Sequence, residues 1–415
     1  MNNSYNNEKF VALDIGTTKV LCLVAEYSPE GKLRIIGIGD EPCSGLNKGV
    51  ISEIDTTVTS IKRATDTAAG MSKFAIKSVT TGISGKHIQS YNGNGILKII
   101  NETVTEEDKE TVIDKAADIQ IPSDQEILHV IEQDYTIDDQ KGIKEPLNMA
   151  GSQLHANVHI ITASSTAKKN LAKCIENSFL TIDEYVLQPV ASSYSVLTEE
   201  EKSLGVCLVD IGGGTTDIAI FTDGTIKYTS IIPLAGQSIT NDIRVGLVTT
   251  LDAAEEIKKK YGSLIESPDD DQIKIPVPSV SDKPESETSK PILKHIISCR
   301  LDEIFKKIQE VILNSGYSNK IRCGIVFTGG GSKIDGLDVY AESKFGCPVK
   351  IGSPVHIDGL TNLTGKTRYA TAVGLLLYRE NQLEKMPHRQ HPSNSILEFL
   401  NKLWEKISNY FQKEL

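Results

Sequence analysis

The chain has 415 residues, 39% hydrophobic and 24% charged, with a formal net charge of −11. At about 150 residues per domain this length predicts two or three domains with ample core, and the acidic balance argues against nucleic-acid binding through a broad phosphate-gripping surface. No apolar run approaches the ~18 residues of a membrane span, the polar residues 1–8 do not form a secretory signal, and seven scattered cysteines without a CxxC pair predict reduced thiols in a cytosol.

The first strong pattern is an apolar run at 10–13, the turn Asp14-Ile-Gly-Thr-Thr-Lys19, and a second apolar run at 20–25. Such a pair of runs predicts a β-hairpin in a buried sheet. Residues 86–159 carry strand-like runs at 95–100 and 155–161 but no Asp-Gly turn, so they read as an inserted unit. Helices are expected at 106–117, which has an acidic start, and at 165–177. Near the middle the opening pattern returns: apolar 206–209, Asp210-Ile-Gly-Gly-Gly-Thr-Thr-Asp217, apolar 218–221. Two distant copies with none between predict a duplicated, two-lobed protein and not a solenoid.

Residues 252–261 have helical composition, and 293–313 have the spacing of a long amphipathic helix. Between them, 266–291 holds Pro268, Pro276, Pro278, Pro284 and Pro291 among acids and serines, which predicts an extended or mobile excursion. A strand at 325–328 runs into Gly329-Gly-Gly-Ser332. After a polar, proline-flanked tether at 386–395, Ile396, Phe399, Leu400, Leu403, Trp404, Ile407, Tyr410 and Phe411 recur at helical spacing and form one apolar face.

Small-residue turns let backbone N–H groups approach an anion, and Thr17, Thr18, Thr215 and Thr216 add hydroxyl donors. Asp14 and Asp210 would repel a phosphate unless Mg²⁺ lay between, with Lys19 as a further compensating cation. Two such turns face to face would clamp a polyphosphate, and the third glycine turn would let a nucleoside pack on bare backbone. Any one of these turns alone is ordinarily just a tight turn; three in this order, each after a buried strand, point to nucleotide binding. Competing motifs fail. Gly359-Leu-Thr-Asn-Leu-Thr-Gly365-Lys-Thr367 has one residue too many between its glycines for a Walker A loop, no strand carries GxGxxG, and His388 and His391 lack further metal ligands.

The three turns resemble the phosphate and adenosine motifs of the actin, sugar-kinase and heat-shock-chaperone superfamily. Gln188-Pro-Val-Ala-Ser-Ser-Tyr194 and Ala370-Thr-Ala-Val-Gly374 resemble its two connecting helices. Within that superfamily the chain is most similar to the FtsA family of bacterial cell-division actin homologues, through Ile83-Ser-Gly-Lys-His-Ile88, Pro233-Leu-Ala-Gly236, Thr240-Asn-Asp-Ile243 and the tethered terminal helix. The resemblance implies an α/β, actin-like (ribonuclease H-like) two-lobed ATPase fold. Lobe 1 would comprise 1–84 and 160–203, closed by a helix at 366–385, with a small subdomain inserted at 85–159. Lobe 2 would comprise 204–243 and 323–365 with an upper subdomain at 244–322. A linker at 386–394 and an amphipathic membrane-targeting helix at 395–415 would follow.

Residue by residue, the resemblance implies that Asp14, Gly16, Thr17, Thr18 and Lys19 hold phosphates and metal. Gly212, Gly213, Gly214, Thr215 and Thr216 would cradle the other side, with Asp210 organising Mg²⁺ or the attacking water. Gly236, Gly329, Gly330, Gly331 and Ser332 would flank the nucleoside, with Glu255, Lys258 and Lys259 near adenine. Gln188 stands where chaperone relatives carry a catalytic Glu; an amide is no base at neutral pH, so at most slow ATP turnover is expected. Arg300 resembles the site that receives the acidic tail of the tubulin-like FtsZ, although by itself it reads equally as a solvated helix charge.

On pattern alone the terminal helix could pack on the body, pair with a partner helix or lie in a membrane surface. Its lysines and glutamates balance, so adhesion to lipid would come from apolar burial, ~1.5–3 kcal/mol per large side chain before ordering costs. Weak single anchors become firm when a filament presents many. With the resemblance, the expected function is an ATP-binding adaptor that polymerises on the cytoplasmic membrane face at the division septum, tethers the FtsZ ring and brings in later division proteins. The rivals are a non-polymerising scaffold resembling the pilus-assembly PilM proteins and a phosphotransferase of the sugar-kinase kind, for which no acceptor base is apparent.

Overall fold

The hairpin expected at the start of the chain forms between strands Lys9–Ile15 and Lys19–Tyr27, whose facing residues are almost all buried. It is the centre of a six-stranded sheet ordered Thr181–Leu187, Ser78–Ile83, Lys9–Ile15, Lys19–Tyr27, Leu33–Pro42 and Asp358–Gly359. The second hairpin, Val206–Ile211 with Thr216–Thr222, is buried along its whole length, as an uninterrupted apolar run requires. It is central to a five-stranded sheet ordered Thr225–Ile232, Thr216–Thr222, Val206–Ile211, Ile325–Thr328 and Val349–Ile351. In both sheets the first hairpin strand pairs antiparallel with the second and parallel with a strand on its other side. The duplicated sequence unit is therefore a duplicated piece of sheet.

This computed structural model describes residues 9–280, 286–355, 357–359 and 366–385. The expected tether and amphipathic helix, with all eight apolar residues from Ile396 to Phe411, lie outside the described residues. All packing discussed below lies within residues 9–377, one compact unit; the last part of helix Ala370–Lys385 belongs to a second unit.

Each main sheet has its own core. Leu13, Val20, Cys22, Ile61, Ala64 and Ile175 fill the first, where helices Ile54–Ser72 and Ser165–Glu176 cover the sheet. Val209, Ile218, Ile243, Ile257, Ile297, Phe305 and Phe327 fill the second, under helices Gly236–Leu247, Leu251–Tyr261 and Lys290–Asn314. Between Ser84 and Ser165 a separate antiparallel sheet is ordered Gln89–Lys98, Gln153–Ser164, Gln125–Ile137 and Gln140–Ile143. Helix Glu106–Ala117 packs on it, begun by a capping box in which Thr105 and Asp108 satisfy each other's backbone N–H groups.

The proline-rich stretch takes the extended alternative, and it is packed on the second core. Lys274–Val277 and Ser286–Ser289 pair as a two-stranded sheet, and Ile275 and Val277 are buried in the second core. Pro276 points outward between them, tolerable because a strand of so narrow a ribbon is an edge. Asp270 and Lys290 close its base at 2.8 Å. The count of prolines hid the alternation of Ile275 and Val277 that anchors the segment. Residues 281–285, at its tip, lie outside the description.

Candidate functional site

Both hairpin turns are closed by the same hydrogen bond: Gly16 N–H donates to Lys19 O at 2.8 Å, and Gly212 N–H to Thr215 O at 2.9 Å. They face each other across one cleft lined by Asp14, Gly16, Thr17, Thr18, Lys19, Gln188, Asp210, Gly212, Gly213, Gly214, Thr215, Gly329 and Gly330. The cleft leaves about 550 Å³ free of atoms, part of it open to solvent. The turns touch directly: a Cβ on Gly213 would stand 2.6 Å from Thr18 Cγ2, and one on Gly214 2.3 Å from Thr17 Oγ1. Only bare backbone permits that approach.

Asp14 is buried and held from two sides, by Lys19 Nζ at 3.0 Å and Gln188 Nε2 at 3.1 Å. Gln188 opens helix Gln188–Val196, so its amide enters the cleft as the first side chain of that helix. Lys19 Nζ also donates to Arg368 O at 2.6 Å. Asp210, equally buried, accepts from Ser192 Oγ at 2.7 Å and Thr371 Oγ1 at 3.2 Å. Burial first, and then the nearby charge of Asp14, push the Asp210 carboxyl above the usual carboxylate range against the pull of the two hydroxyls.

The third turn closes the cleft from behind Asp210. Gly329 has φ +85°, and a Cβ there would lie 2.2 Å from Asp210 Oδ1, so no larger residue fits. Its carbonyl accepts from Thr367 Oγ1 at 2.7 Å and Ser332 Oγ at 2.8 Å. Ser332 therefore closes its own turn, and its buried hydroxyl is spent there. Gly331 packs its backbone on Ile211 and lies near Gly236.

Gly236 N–H donates to Gly212 O at 3.1 Å, which seats helix Gly236–Leu247 directly on the second turn. Lys258 Nζ reaches Gly236 O at 3.0 Å, Thr240 Oγ1 at 2.7 Å and Glu255 Oε2 at 2.6 Å. Burial holds the Lys258 ammonium below its ordinary pKa, with the Glu255 charge opposing. Thr240, Glu255 and Lys258 gather behind the second turn and do not line the cleft.

Two sequence-derived residues sit elsewhere. Thr216 is fully buried and gives its hydroxyl to Leu234 O at 2.8 Å, away from the cleft. The reason is the strand period: Thr215 and Asp217 share the cleft face and Thr216 points to the other. Lys259 is mostly exposed and meets Glu255 only at 3.6 Å.

Other cleft residues had not been singled out. Asp217 lines the cleft and accepts from Ser84 Oγ at 2.6 Å and Thr215 Oγ1 at 3.3 Å. Burial raises its pKa to about 8, helped by the charge of Asp210 and opposed by both hydroxyls. Gly49, Ser84, Arg368 and Thr371 also line it. One signal was available: Asp217 is a charged residue in an otherwise apolar run, at the place that Leu21 holds in the first copy.

Arg300 lies on helix Lys290–Asn314 and is not among the residues that line the cleft. Its guanidinium forms a two-pronged pair with Asp242, Nε–Oδ2 at 2.5 Å and Nη2–Oδ1 at 2.9 Å, and also contacts Glu303. The Asp242 hydrogen bond raises its pKa further. Among the described residues no group of three or more His, Cys, Asp or Glu could hold a metal by itself, and no helix is long and apolar enough to cross a membrane.

A family model described as cell division protein FtsA matches residues 207–374, and one described as the SHS2 domain inserted in FtsA matches residues 85–162. The chain is 46% identical to the cell division protein FtsA of Pseudomonas aeruginosa over 373 residues, 90% of this chain and 89% of that protein. Among solved structures it is similar to the PilM–PilN type IV pilus biogenesis complex, with TM-score 0.65 and 17% identity over 89% of this chain and 98% of that one. It is similar also to MreB5 of Spiroplasma citri bound to ADP, with TM-score 0.56 and 19% identity over 92% and 99% of the two chains. The fold is thus the expected actin-like α/β architecture with an SHS2 insertion, and the chain belongs to the FtsA cell division protein family.

Proposed function

We propose that this protein binds ATP with Mg²⁺ in the interlobe cleft, polymerises on the cytoplasmic face of the cell membrane, and tethers the FtsZ ring at the division septum, where later division proteins join it. The observation that carries the reading is the opposition of two equivalent Asp-Ile-Gly turns across one cleft, with the glycine backbone of the second against the threonine side chains of the first. Gly16, Thr17 and Thr18 on one side and Gly212, Gly213, Gly214 and Thr215 on the other would donate to phosphates. Lys19 would add charge, and Gly236, Gly329, Gly330 and Gly331 would border the nucleoside, with Glu255 and Lys258 supporting that wall from behind. An MreB5 relative of the same fold is described as bound to ADP.

The donor set fits Mg²⁺. Asp14 and Asp210 line the same cleft, and the charge of Asp14 helps to raise the Asp210 pKa, so a divalent cation between them would relieve an existing repulsion. The two carboxylates would hold it partly through water, and when bound it would neutralise phosphate charge. Gln188 is already committed to Asp14 and offers no base, which supports slow turnover at most. Arg300 would receive the acidic FtsZ tail by exchanging Asp242 for the incoming carboxylate. The helix at 395–415 would supply the lipid contact.

Isothermal titration of the full-length protein with MgATP tests the cleft, and an absence of uptake ends the reading. Liposome flotation with and without residues 395–415 tests the anchor; equal flotation of both proteins ends that part. The fold shared with the PilM–PilN complex favours one second reading, a scaffold that does not polymerise. Electron microscopy on a lipid monolayer with ATP separates the two, since the scaffold leaves no filaments.

A further inference from the structure

Ser84 is the residue at which the first lobe gives way to the inserted subdomain, and its hydroxyl reaches across the cleft. It donates to Asp217 Oδ1 at 2.6 Å and lies 3.5 Å from the Thr215 hydroxyl, while Asp217 Oδ2 accepts from Thr215 at 3.3 Å. One carboxyl therefore orients a hydroxyl of the second turn and fastens that turn to the opposite lobe.

The path from Ser84 into the inserted sheet is stiff. Ile88 N–H donates to Gly85 O at 3.1 Å, closing a turn, and strand Gln89–Lys98 starts immediately after. Gln125 Nε2, at the start of another strand of that sheet, donates to His87 O at 3.2 Å. The His87 ring is wedged against Gly85, 2.8 Å from the place a Cβ would take. A closed turn packed on both sides passes a displacement along, whereas a slack tether absorbs it.

On its other side the same sheet is docked on the second lobe. Gln133 Nε2 donates to Ile226 O at 2.8 Å and Ser90 Oγ to Thr229 O at 2.9 Å. His159 Nε2 meets Thr229 Oγ1 at 3.0 Å, and Lys227 pairs with Asp134 at 3.0 Å. These side chains satisfy the free edge of strand Thr225–Ile232, whose other edge pairs with Thr216–Thr222, the strand that carries Asp217. The inserted subdomain is thus connected to the second turn twice, through Ser84 and through its docked strand.

We propose that Ser84 and Asp217 are positioning residues that couple occupancy of the cleft to the docking of the inserted subdomain on strand Thr225–Ile232. This rests on nucleotide binding in the cleft. A ligand that draws both turns together fixes the Ser84–Asp217 bond and so steadies the docked sheet; by reciprocity, a firmly docked sheet favours the ligand.

Hydrogen exchange of the full-length protein with and without MgATP, with titration calorimetry in parallel, tests it. Exchange in peptides covering 89–98 and 225–232 should slow by about fivefold on ATP binding, the low end of ordinary coupling between sites. Ser84→Ala should bind ATP more weakly and, at saturating ATP, without that slowing, and Ser84→Thr should restore both, which a residue needed only for folding would not do. Unchanged exchange in a wild-type protein that binds ATP overturns the coupling alone, as does equal slowing in Ser84→Ala. A wild-type protein that takes up no ATP removes the binding reading and the coupling with it. Should Ser84→Ala lose ATP binding altogether, Gln133→Ala, whose amide bonds the docked strand and does not line the cleft, decides: coupling requires about a fivefold fall in ATP affinity, and unchanged affinity overturns it.

Discussion

Asp217 should make the protein less stable as the solution becomes more alkaline. In the unfolded chain its pKa is the ordinary 3.8, and in the fold it is about 8, chiefly because the carboxyl is buried. Above pH 3.8 the unfolded chain has given up a proton that the folded one retains. The contribution to stability is therefore complete below 3.8 and is lost progressively as pH rises to about 8. The slope is about 1.4 kcal/mol per pH unit, so the loss between pH 5.5 and 7.5 is on the order of 2–3 kcal/mol. Asp217→Asn keeps an acceptor for the Ser84 hydroxyl but cannot ionise. Urea unfolding of both proteins at half-unit steps, without nucleotide or magnesium, reads the group together with Asp210, whose charge it feels, since the remaining titrations cancel in the difference. The variant should gain on the wild type steadily from pH 5.5 to 7.5 and stop gaining above 8. A difference that stays flat over that range would refute the argument that this carboxyl is held protonated between the lobes.

Gly213→Val should lower MgATP affinity more than tenfold in calorimetry, because the new side chain occupies the space of Thr18 at the point where the two turns meet. Asp242→Ala should raise affinity for an acidic peptide by about two- to fivefold at low salt, as expected from releasing an ion pair worth ~0.5–1 kcal/mol, and Arg300→Ala should abolish the gain; fluorescence anisotropy reads both. Gly374→Val should cost about 1–3 kcal/mol of stability in denaturant titration, since a Cβ at 374 would lie 1.9 Å from Ala191 O where two helices cross.

What could be read from the sequence was what is encoded locally. Both hairpins announce themselves because each strand is apolar and each turn is small, and helix Glu106–Ala117 begins where its capping chemistry puts it. The inserted sheet was visible only as strand-like runs, because its pairing order depends on contacts between distant segments. Ser84 and Asp217 lie 133 residues apart, and nothing in either neighbourhood states that one bonds the other. Arg300 likewise meets Asp242 at a separation of 58 residues, so a guanidinium that reads as solvated is already paired. Thr216 is different. Its departure from the cleft follows from strand alternation once Thr215 is placed there, a local rule that the resemblance to phosphate turns overrode.

The two copies of the turn have diverged in where they carry charge, and the divergence divides the work of the cleft. In the first copy Lys19 sits 3.0 Å from Asp14, so that acid carries its own cation. In the second copy Thr215 takes the place of Lys19, and Asp217, where the first copy has Leu21, stands opposite Asp210 across the hairpin as its cross-strand partner. No lysine answers that pair within the turn. Hydroxyls from Ser84, Thr215, Ser192 and Thr371 do so instead, and hydroxyls stabilise a carboxylate less than a full charge does. The first lobe thus presents a turn with its charge balanced, while the second presents one that is short of positive charge. A divalent cation arriving with a polyphosphate would find its unmet demand on the second lobe and its anionic cargo welcomed by Lys19 on the first, so that the ligand itself completes the electrostatics of both halves.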